Sequence, residues 1–253
     1  MMPHINILGT KVDVLTVNEL HNYIAEHSKD QRKALILHAN VYGLNLAVNL
    51  QWLREFYNLA DIVFCDGAGV MLAARILGYR IPERITYADW MWQIGEFAAD
   101  NSITFFFLGG RSGVAEKAKS VMQKRFPKLK IVGTHHGYFD KQLGSQENTY
   151  VIKLINQANP DILLVGFGMP LQEWWLMENW GQINARVALT GGAVFDYISG
   201  ELHRGPKWMT DNGFEWLARL LIEPKRLWKR YILGNPLFLY RVLKQRLELS
   251  HFD

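Results

Sequence analysis

The chain has 253 residues, is 49% hydrophobic and 21% charged, carries a net charge of +4 and contains one cysteine, Cys65. Length and apolar content suit a globular α/β protein that buries a core without staples, and exclude a disordered or low-complexity chain. A lone cysteine excludes an internal disulfide and fits a reducing compartment. The start MMPHINILGT lacks the basic and apolar regions of a signal peptide, and no apolar run reaches about 18 residues, so the expectation is a soluble chain.

In chain order, two short β-rich runs, Ile5–Leu8 and Val12–Leu15, meet at the turn-like Gly9-Thr10. Thr16-Val-Asn-Glu19 reads as a capping box opening a helix towards His27. Apolar runs of strand length then alternate with helical segments. The runs are Ala34–Ala39, Ile62–Cys65, Ile103–Leu108, Ile131–Val132, Ile162–Val165 and Val187–Leu189. The helical segments include Val41–Ala60, Ala88–Ala98, Gly113–Arg125 and Gln146–Gln157. Continuous apolar strands between helices predict a parallel sheet covered on both faces.

From about Gly205 the character changes. Helical stretches at Gly213–Ile222, Lys225–Leu233 and Leu237–Leu249 are separated by Pro224 and by Gly234-Asn-Pro236, which predicts breaks rather than one rod. The expected organisation is a core over residues 1–204 and a helical appendage over 205–253. Between Trp216 and Arg246 lie eight basic residues against Glu223 alone, while the remainder is net acidic. The basicity therefore belongs to the tail and calls for an anionic partner there. Trp216, Trp228, Tyr231, Phe238 and Tyr240 interleave with those charges. The pattern suits an interfacial membrane helix pair, single-stranded nucleic acid, or packing on a second copy of the chain, and composition leaves all three open.

In parallel sheets ligands sit beyond the carboxyl ends of the strands. Those ends read His38-Ala-Asn40, Asp66-Gly-Ala-Gly69, Gly109-Gly-Arg-Ser-Gly113, Gly166-Phe-Gly168 and Gly191-Gly192. Asp66 either projects as a partly desolvated general base or caps the helix after Gly69. Arg84 either clamps a diphosphate or forms a surface ion pair with Glu83. The loop beginning Gly109-Gly110 fits a phosphate loop and fits a plain turn nearly as well, since it is neither G-x-G-x-x-G nor a P-loop. His135-His136 lacks further ligands at metal spacing, and Asp-x-Asp does not occur, so no catalytic metal is expected.

Taken in order and spacing, these motifs resemble one family, the bacterial glycosyltransferases that include the N-acetylmannosamine transferase of wall teichoic acid synthesis, the WecG/TagA/CpsF family. The resemblance runs from about Ile7 to Tyr231. It is carried by Asn40, Asp66-Gly-Ala-Gly69, Arg84-Ile-Thr, Phe107-Leu-Gly-Gly110, Gly137-Tyr-Phe139, Gly166-Phe-Gly-Met-Pro-Leu-Gln-Glu173, Gly191-Gly192, Arg204-Gly-Pro-Lys-Trp208, Gly213-Phe-Glu-Trp-Leu-Ala-Arg219 and Glu223-Pro-Lys-Arg226. It implies a mostly parallel, Rossmann-like sheet and an inverting, metal-independent transfer from a UDP-sugar to a polyprenyl-diphosphate-linked glycan in cell-surface polysaccharide synthesis. The enzyme would be cytoplasmic and peripheral on the anionic inner membrane surface.

Carried over residue by residue, Asp66 is the proposed base, with Arg84 and Gln172 supporting the leaving group or sugar. His38, Asn40, Gly109, Gly110, Tyr138, Gly166, Gly168, Gly191 and Gly192 are expected to meet substrate. Arg219, Arg226 and Lys229 match the tail arginines. Lys229, next to Arg230, departs from the family because lysine cannot make a forked contact. His38 departs as well, standing where members usually carry Thr, and Ile85-Thr-Tyr-Ala-Asp89 differs from the more usual Gly-x-Asp ending. Rival functions are an inactive nucleotide-sugar-binding protein, a nucleic-acid binder and a nicotinamide oxidoreductase. Asp66 and Arg84 together argue against the first. The acidic remainder argues against the second, and the missing G-x-G-x-x-G at the first strand against the third.

Overall fold

A computed structural model describes residues 2–249. Its larger sheet has six strands, all parallel, and the eight strands among the described residues overlap the predicted apolar runs, the second running over Thr10–Asp13 rather than Val12–Leu15. The larger sheet comprises β3 (Ala34–Ala39), β4 (Ile62–Cys65), β5 (Thr104–Gly109), β6 (Lys130–His135), β7 (Ile162–Gly166) and β8 (Val187–Thr190), in the spatial order β4-β3-β8-β7-β5-β6. Every residue of β3, β4, β7 and β8 is buried, which is why those segments are uninterrupted apolar runs. The edge strand β6 carries exposed Lys130 and Val132 and shows only the start of such a run. The chain forms two compact units.

One unit comprises residues 1–16, 38–86 and 203 onward. Its strands β1 (His4–Ile7) and β2 (Thr10–Asp13) pair antiparallel, Ile7 opposite Thr10, around a two-residue turn. Both turn residues, Leu8 and Gly9, have positive φ, the geometry that matches the twist of paired strands. Asp13 accepts a hydrogen bond from the Val63 N–H at 2.6 Å and so fixes the hairpin against β4. The segment expected as one helix over Val41–Ala60 is two, α2 (Val41–Asn49) and α3 (Gln51–Leu59). The chain leaves helical geometry at Leu50, and the Asn49 amide turns back to the Asn45 carbonyl, the local competition that makes Asn a weak helix former. Helix α4 (Ala68–Ile76) follows β4.

The tail groups with this unit. The other unit comprises residues 17–37 and 87–202. It holds α1 (Val17–Lys29), α5 (Tyr87–Asp100), α6 (Val114–Arg125), α7 (Gln146–Ala158), α8 (Leu171–Asn179) and α9 (Val194–Ser199). Within it β7 lies between β5 and β8, with Gly109 opposite Gly166 and Val165 opposite Thr190.

The tail comprises α10 (Lys207–Asp211), α11 (Glu215–Ile222), α12 (Pro224–Trp228), a π turn over Lys229–Leu233, and α13 (Gly234–Arg246). The expected break at Gly234-Asn-Pro236 is absent: helical structure runs on from Pro224 to Arg246. Pro236 has no N–H to give and its ring crowds the carbonyl one turn back. The chain absorbs this by widening, and Gly234 N–H reaches the Lys229 carbonyl five residues earlier. Phe238 and Val242 on α13 are buried. Asn45 of α2 donates to the Gly234 carbonyl at 2.8 Å, and Arg241 donates to the side-chain oxygens of Asn45 and Asn49 at 2.9 and 3.2 Å. No described helix is long and apolar enough to cross a membrane.

Candidate active site

In the first unit the strand ends of β3 and β4 are joined by a hydrogen bond from the Asp66 N–H to the Ala39 carbonyl, 2.8 Å long. Asp66 follows β4 directly. Gly67, at φ 100°, is the N-cap of α4 and no side chain caps that helix, so the capping reading of Asp66 falls away. Its side chain is 19% exposed. Asn40 serves two ends at once. Its Oδ1 accepts from Gly43 N–H at 2.9 Å, capping α2, and its side chain hydrogen-bonds Asp66. His38, the next-to-last residue of β3, is 5% exposed and places Nε2 3.9 Å from Asp66 Oδ2.

The tail completes the surroundings of Asp66. Glu215 and Arg219, one turn apart on α11, act on it together with Arg230 of the π turn. Burial pushes the Asp66 carboxyl from its ordinary 3.8 up to about 7 and the Glu215 carboxylate pushes the same way, while Arg230, Arg219 and the Asn40 bond pull it down. The result is a carboxyl that takes up and gives up a proton near neutrality, as general-base work requires. Arg230 stacks on Tyr42 at 4.5 Å, and burial lowers its pKa. Glu215 is held 3.5 Å from Arg204. Burial of Cys65 pushes its thiol up, so that neighbour is not a reactive group.

Arg84 reaches the tail. Both its terminal nitrogens donate to the Thr210 carbonyl at 3.2 Å, joining the segment after β4 to α10. The expected tail residues lie in different surroundings. Lys229 is exposed, 5.6 Å over the Trp228 ring, whereas Arg230 is the residue turned to Asp66. Arg226 is 59% exposed and paired with Glu223. Of the three residues matched in the tail, the structure thus brings Arg219 to Asp66.

In the second unit the glycine-rich strand ends pack against one another. A Cβ on Gly109 would lie 2.3 Å from the Gly166 carbonyl oxygen, one on Gly166 2.8 Å from that of Gly192, and one on Gly191 2.6 Å from Val194. Gly110 donates to the Gly166 carbonyl at 3.2 Å. Close packing therefore accounts for all four, against backbone at Gly109 and Gly166 and against the side chains of Val114 at Gly110 and of Val194 and Leu164 at Gly191. Gly168 and Gly192 differ, with φ of 84° and 57° and open space where a side chain would stand.

Gln172 is fully buried. Its Oε1 accepts from Gly168 N–H at 3.2 Å and Gly192 N–H at 3.0 Å, and its Nε2 donates to Glu173 at 2.7 Å. Those two backbone donors, on glycines expected to meet substrate, are occupied by the Gln172 amide. Glu173 is buried too, its pKa raised to about 7 by desolvation. Tyr138 is 72% exposed. Among the described residues no three His, Cys, Asp or Glu side chains come together to hold a metal. Sequence reasoning passed over Glu215 and Glu173. Glu215 was signalled by its spacing of four from Arg219, and Glu173 by its place beside Gln172.

A parallel α/β sheet with a near-neutral carboxyl at a strand end, flanked by arginines, suits group transfer from a phosphorylated donor. The sequence model of the Glycosyl transferase WecG/TagA/CpsF family matches residues 5–251, and the chain belongs to that family. It is a glycosyltransferase. Similar proteins include N-acetylglucosaminyldiphosphoundecaprenol N-acetyl-beta-D-mannosaminyltransferases of Staphylococcus aureus strains MRSA252 and NCTC 8325 / PS 47. Each is 29% identical over 250 residues, covering 97% of this chain and 94% of the relative.

Proposed function

We propose that the chain moves a hexosyl group from a UDP-sugar to a polyprenyl-diphosphate-linked sugar in the synthesis of a bacterial cell-surface polymer. The observation that carries this reading is Asp66, a four-fifths-buried carboxyl poised near pH 7 beside Arg219 and Arg230. The relatives' names supply the acceptor class, a sugar on undecaprenyl diphosphate. Asp66 takes the proton of the acceptor hydroxyl as that oxygen bonds to the anomeric carbon. The bond from that carbon to UDP breaks, and the electron pair leaves with the diphosphate. One displacement inverts the configuration.

Arg219, Arg230 and Arg84 supply the positive charge that a metal would otherwise bring to the departing diphosphate, which makes the reaction metal-independent. General-base assistance contributes about two to four orders of magnitude in rate. In the second unit, Gly168, Gly192 and Tyr138 are the residues proposed to meet the nucleotide, where the backbone borders open space. The exposed Trp228, Ile232, Leu233, Leu237 and Tyr240, with Lys225, Arg226 and Lys229, are proposed to rest on an anionic membrane surface on the cytoplasmic side.

The test is UDP release from a panel of UDP-N-acetylhexosamines, with and without a short-chain polyprenyl-diphosphate N-acetylglucosamine. Acceptor-dependent release by the wild type, lost in Asp66→Asn, is the expected result. No release with any donor overturns the activity. Wild-type turnover by Asp66→Asn between pH 6 and 9 overturns the role of Asp66.

A further inference from the structure

We infer that His38 and Asp66 act as one proton-sharing pair, in which His38 is a positioning residue that favours the ionised, proton-accepting form of Asp66. The inference rests on the proposed role of Asp66 as base and adds a second residue to it. His38 is almost wholly buried at the end of β3, its Nε2 3.9 Å from Asp66 Oδ2. That separation is too long for a direct hydrogen bond, yet within the range over which two charges in a site shielded from water act on each other.

Both groups are held in place. The His38 carbonyl accepts from the Tyr57 hydroxyl at 3.1 Å and its ring lies 6.1 Å from Phe64, while the Asp66 backbone is bonded to Ala39. The other groups around Asp66 are Asn40, Glu215, Arg219 and Arg230, with Arg84 acting on the adjacent Cys65. Arginines keep their charge through the working range, and Glu215 has Arg204 beside it. Of these neighbours His38 is the one whose ordinary pKa lies near neutrality.

A proton on His38 therefore favours the Asp66 carboxylate, and a proton on Asp66 disfavours the imidazolium. The two protonations are then linked, and the apparent constants belong to the pair. Removing the imidazole leaves the carboxylate with less support, so the acid limb of the rate profile must move to higher pH.

The experiment uses the full chain. First, kcat/KM for UDP release is followed from pH 5.5 to 9 for wild type and His38→Gln, which keeps polarity without a charge. The acid limb of His38→Gln is expected to rise by about one pH unit, the lower end of the effect of an opposite charge at this range. The loss is therefore expected to be about ten-fold greater on the acid limb than at pH 9. Coincident limbs, or an equal loss at every pH, overturn the pair.

Second, 15N-histidine NMR follows His38 in wild type and Asp66→Asn. Its pKa is expected to fall by about one unit when the carboxylate is removed. An unchanged His38 titration overturns the pair, and this measurement decides the matter if His38→Gln does not fold. A wild type that releases no UDP defeats the proposed function, while the NMR titration still judges the pair. A wild type that transfers, with limbs that coincide, defeats the pair alone.

Discussion

Replacing Asp66 by Asn should abolish transfer and make the protein more stable, and the pH dependence of that gain follows from the site. In the folded chain the Asp66 carboxyl titrates at about 7 against an ordinary value of 3.8. A raised acid pKa means that the folded state holds a proton the unfolded state has released. The associated stability is fully present below about pH 4 and is lost as the pH rises through 7. The difference of about three pH units, at 1.36 kcal/mol each, makes the buried carboxylate cost about 4 kcal/mol at pH 8. At pH 5, about one unit above the unfolded value, it costs about 1.5 kcal/mol. Asn keeps the shape and never ionises, so Asp66→Asn should gain about those amounts at the two pH values and nothing at pH 3.5. Urea unfolding of wild type and variant at pH 3.5, 5 and 8 measures this. A variant equal to wild type at pH 8, or less stable there, would refute the account of Asp66 as a strained, desolvated base.

Four further outcomes follow from the same geometry. Arg230→Met should raise the acid limb of kcat/KM, since Arg230 is the largest attraction on Asp66; the loss that persists at pH 9 then measures its contact with the diphosphate. Gln172→Leu should leave the Gly168 and Gly192 N–H groups and Glu173 without their partner and cost about 2–4 kcal/mol in urea unfolding. A wild-type unfolding midpoint with lost turnover would instead place Gln172 on the substrate. EDTA should leave UDP release unchanged, and a loss restored by Mn²⁺ would sink the metal-free assignment. Trp228→Ser with Ile232→Ser should weaken co-sedimentation with anionic vesicles without changing the unfolding midpoint, because both side chains are about half exposed. Added salt should weaken the wild-type interaction too, and equal sedimentation with neutral vesicles would refute the docking surface.

The parallel sheet was legible because four of its strands are buried along their whole length, and burial on both faces writes itself as an apolar run. Strand order was not, since nothing in Ile62–Cys65 or Val187–Leu189 states which neighbour it pairs with. The helix pair joined at Leu50 reads as one helix because apolar spacing continues through the junction. Asp66 was visible as a carboxylate at a strand end, and its two readings separated only once Gly67 proved to be the N-cap. The glycines show the opposite limit. Gly109 and Gly166 look like ligand loops in sequence, but each keeps its place because backbone lies within 3 Å of where a side chain would begin.

The tail carries the deepest consequence of what composition conceals. Its basic residues read as one cationic patch, yet they divide by direction. Arg219 and Arg230 turn to Asp66 and Arg241 pins α13 to α2, while Lys225, Arg226 and Lys229 face outward. The π turn makes the division possible. Pro236 cannot close an ordinary helical turn, the ladder widens over Lys229–Leu233, and Arg230 lies within the widened stretch. A shift of one residue in that register would exchange the inward Arg230 for the exposed Lys229, a residue without the fork. The same segment also buries Leu227, Tyr231, Phe238 and Val242. Cutting the chain before Gly213 would therefore remove part of the unit that holds Asp66, as well as the charges around it. Surface substitutions at Trp228 and Ile232 separate docking from catalysis where a truncation does not.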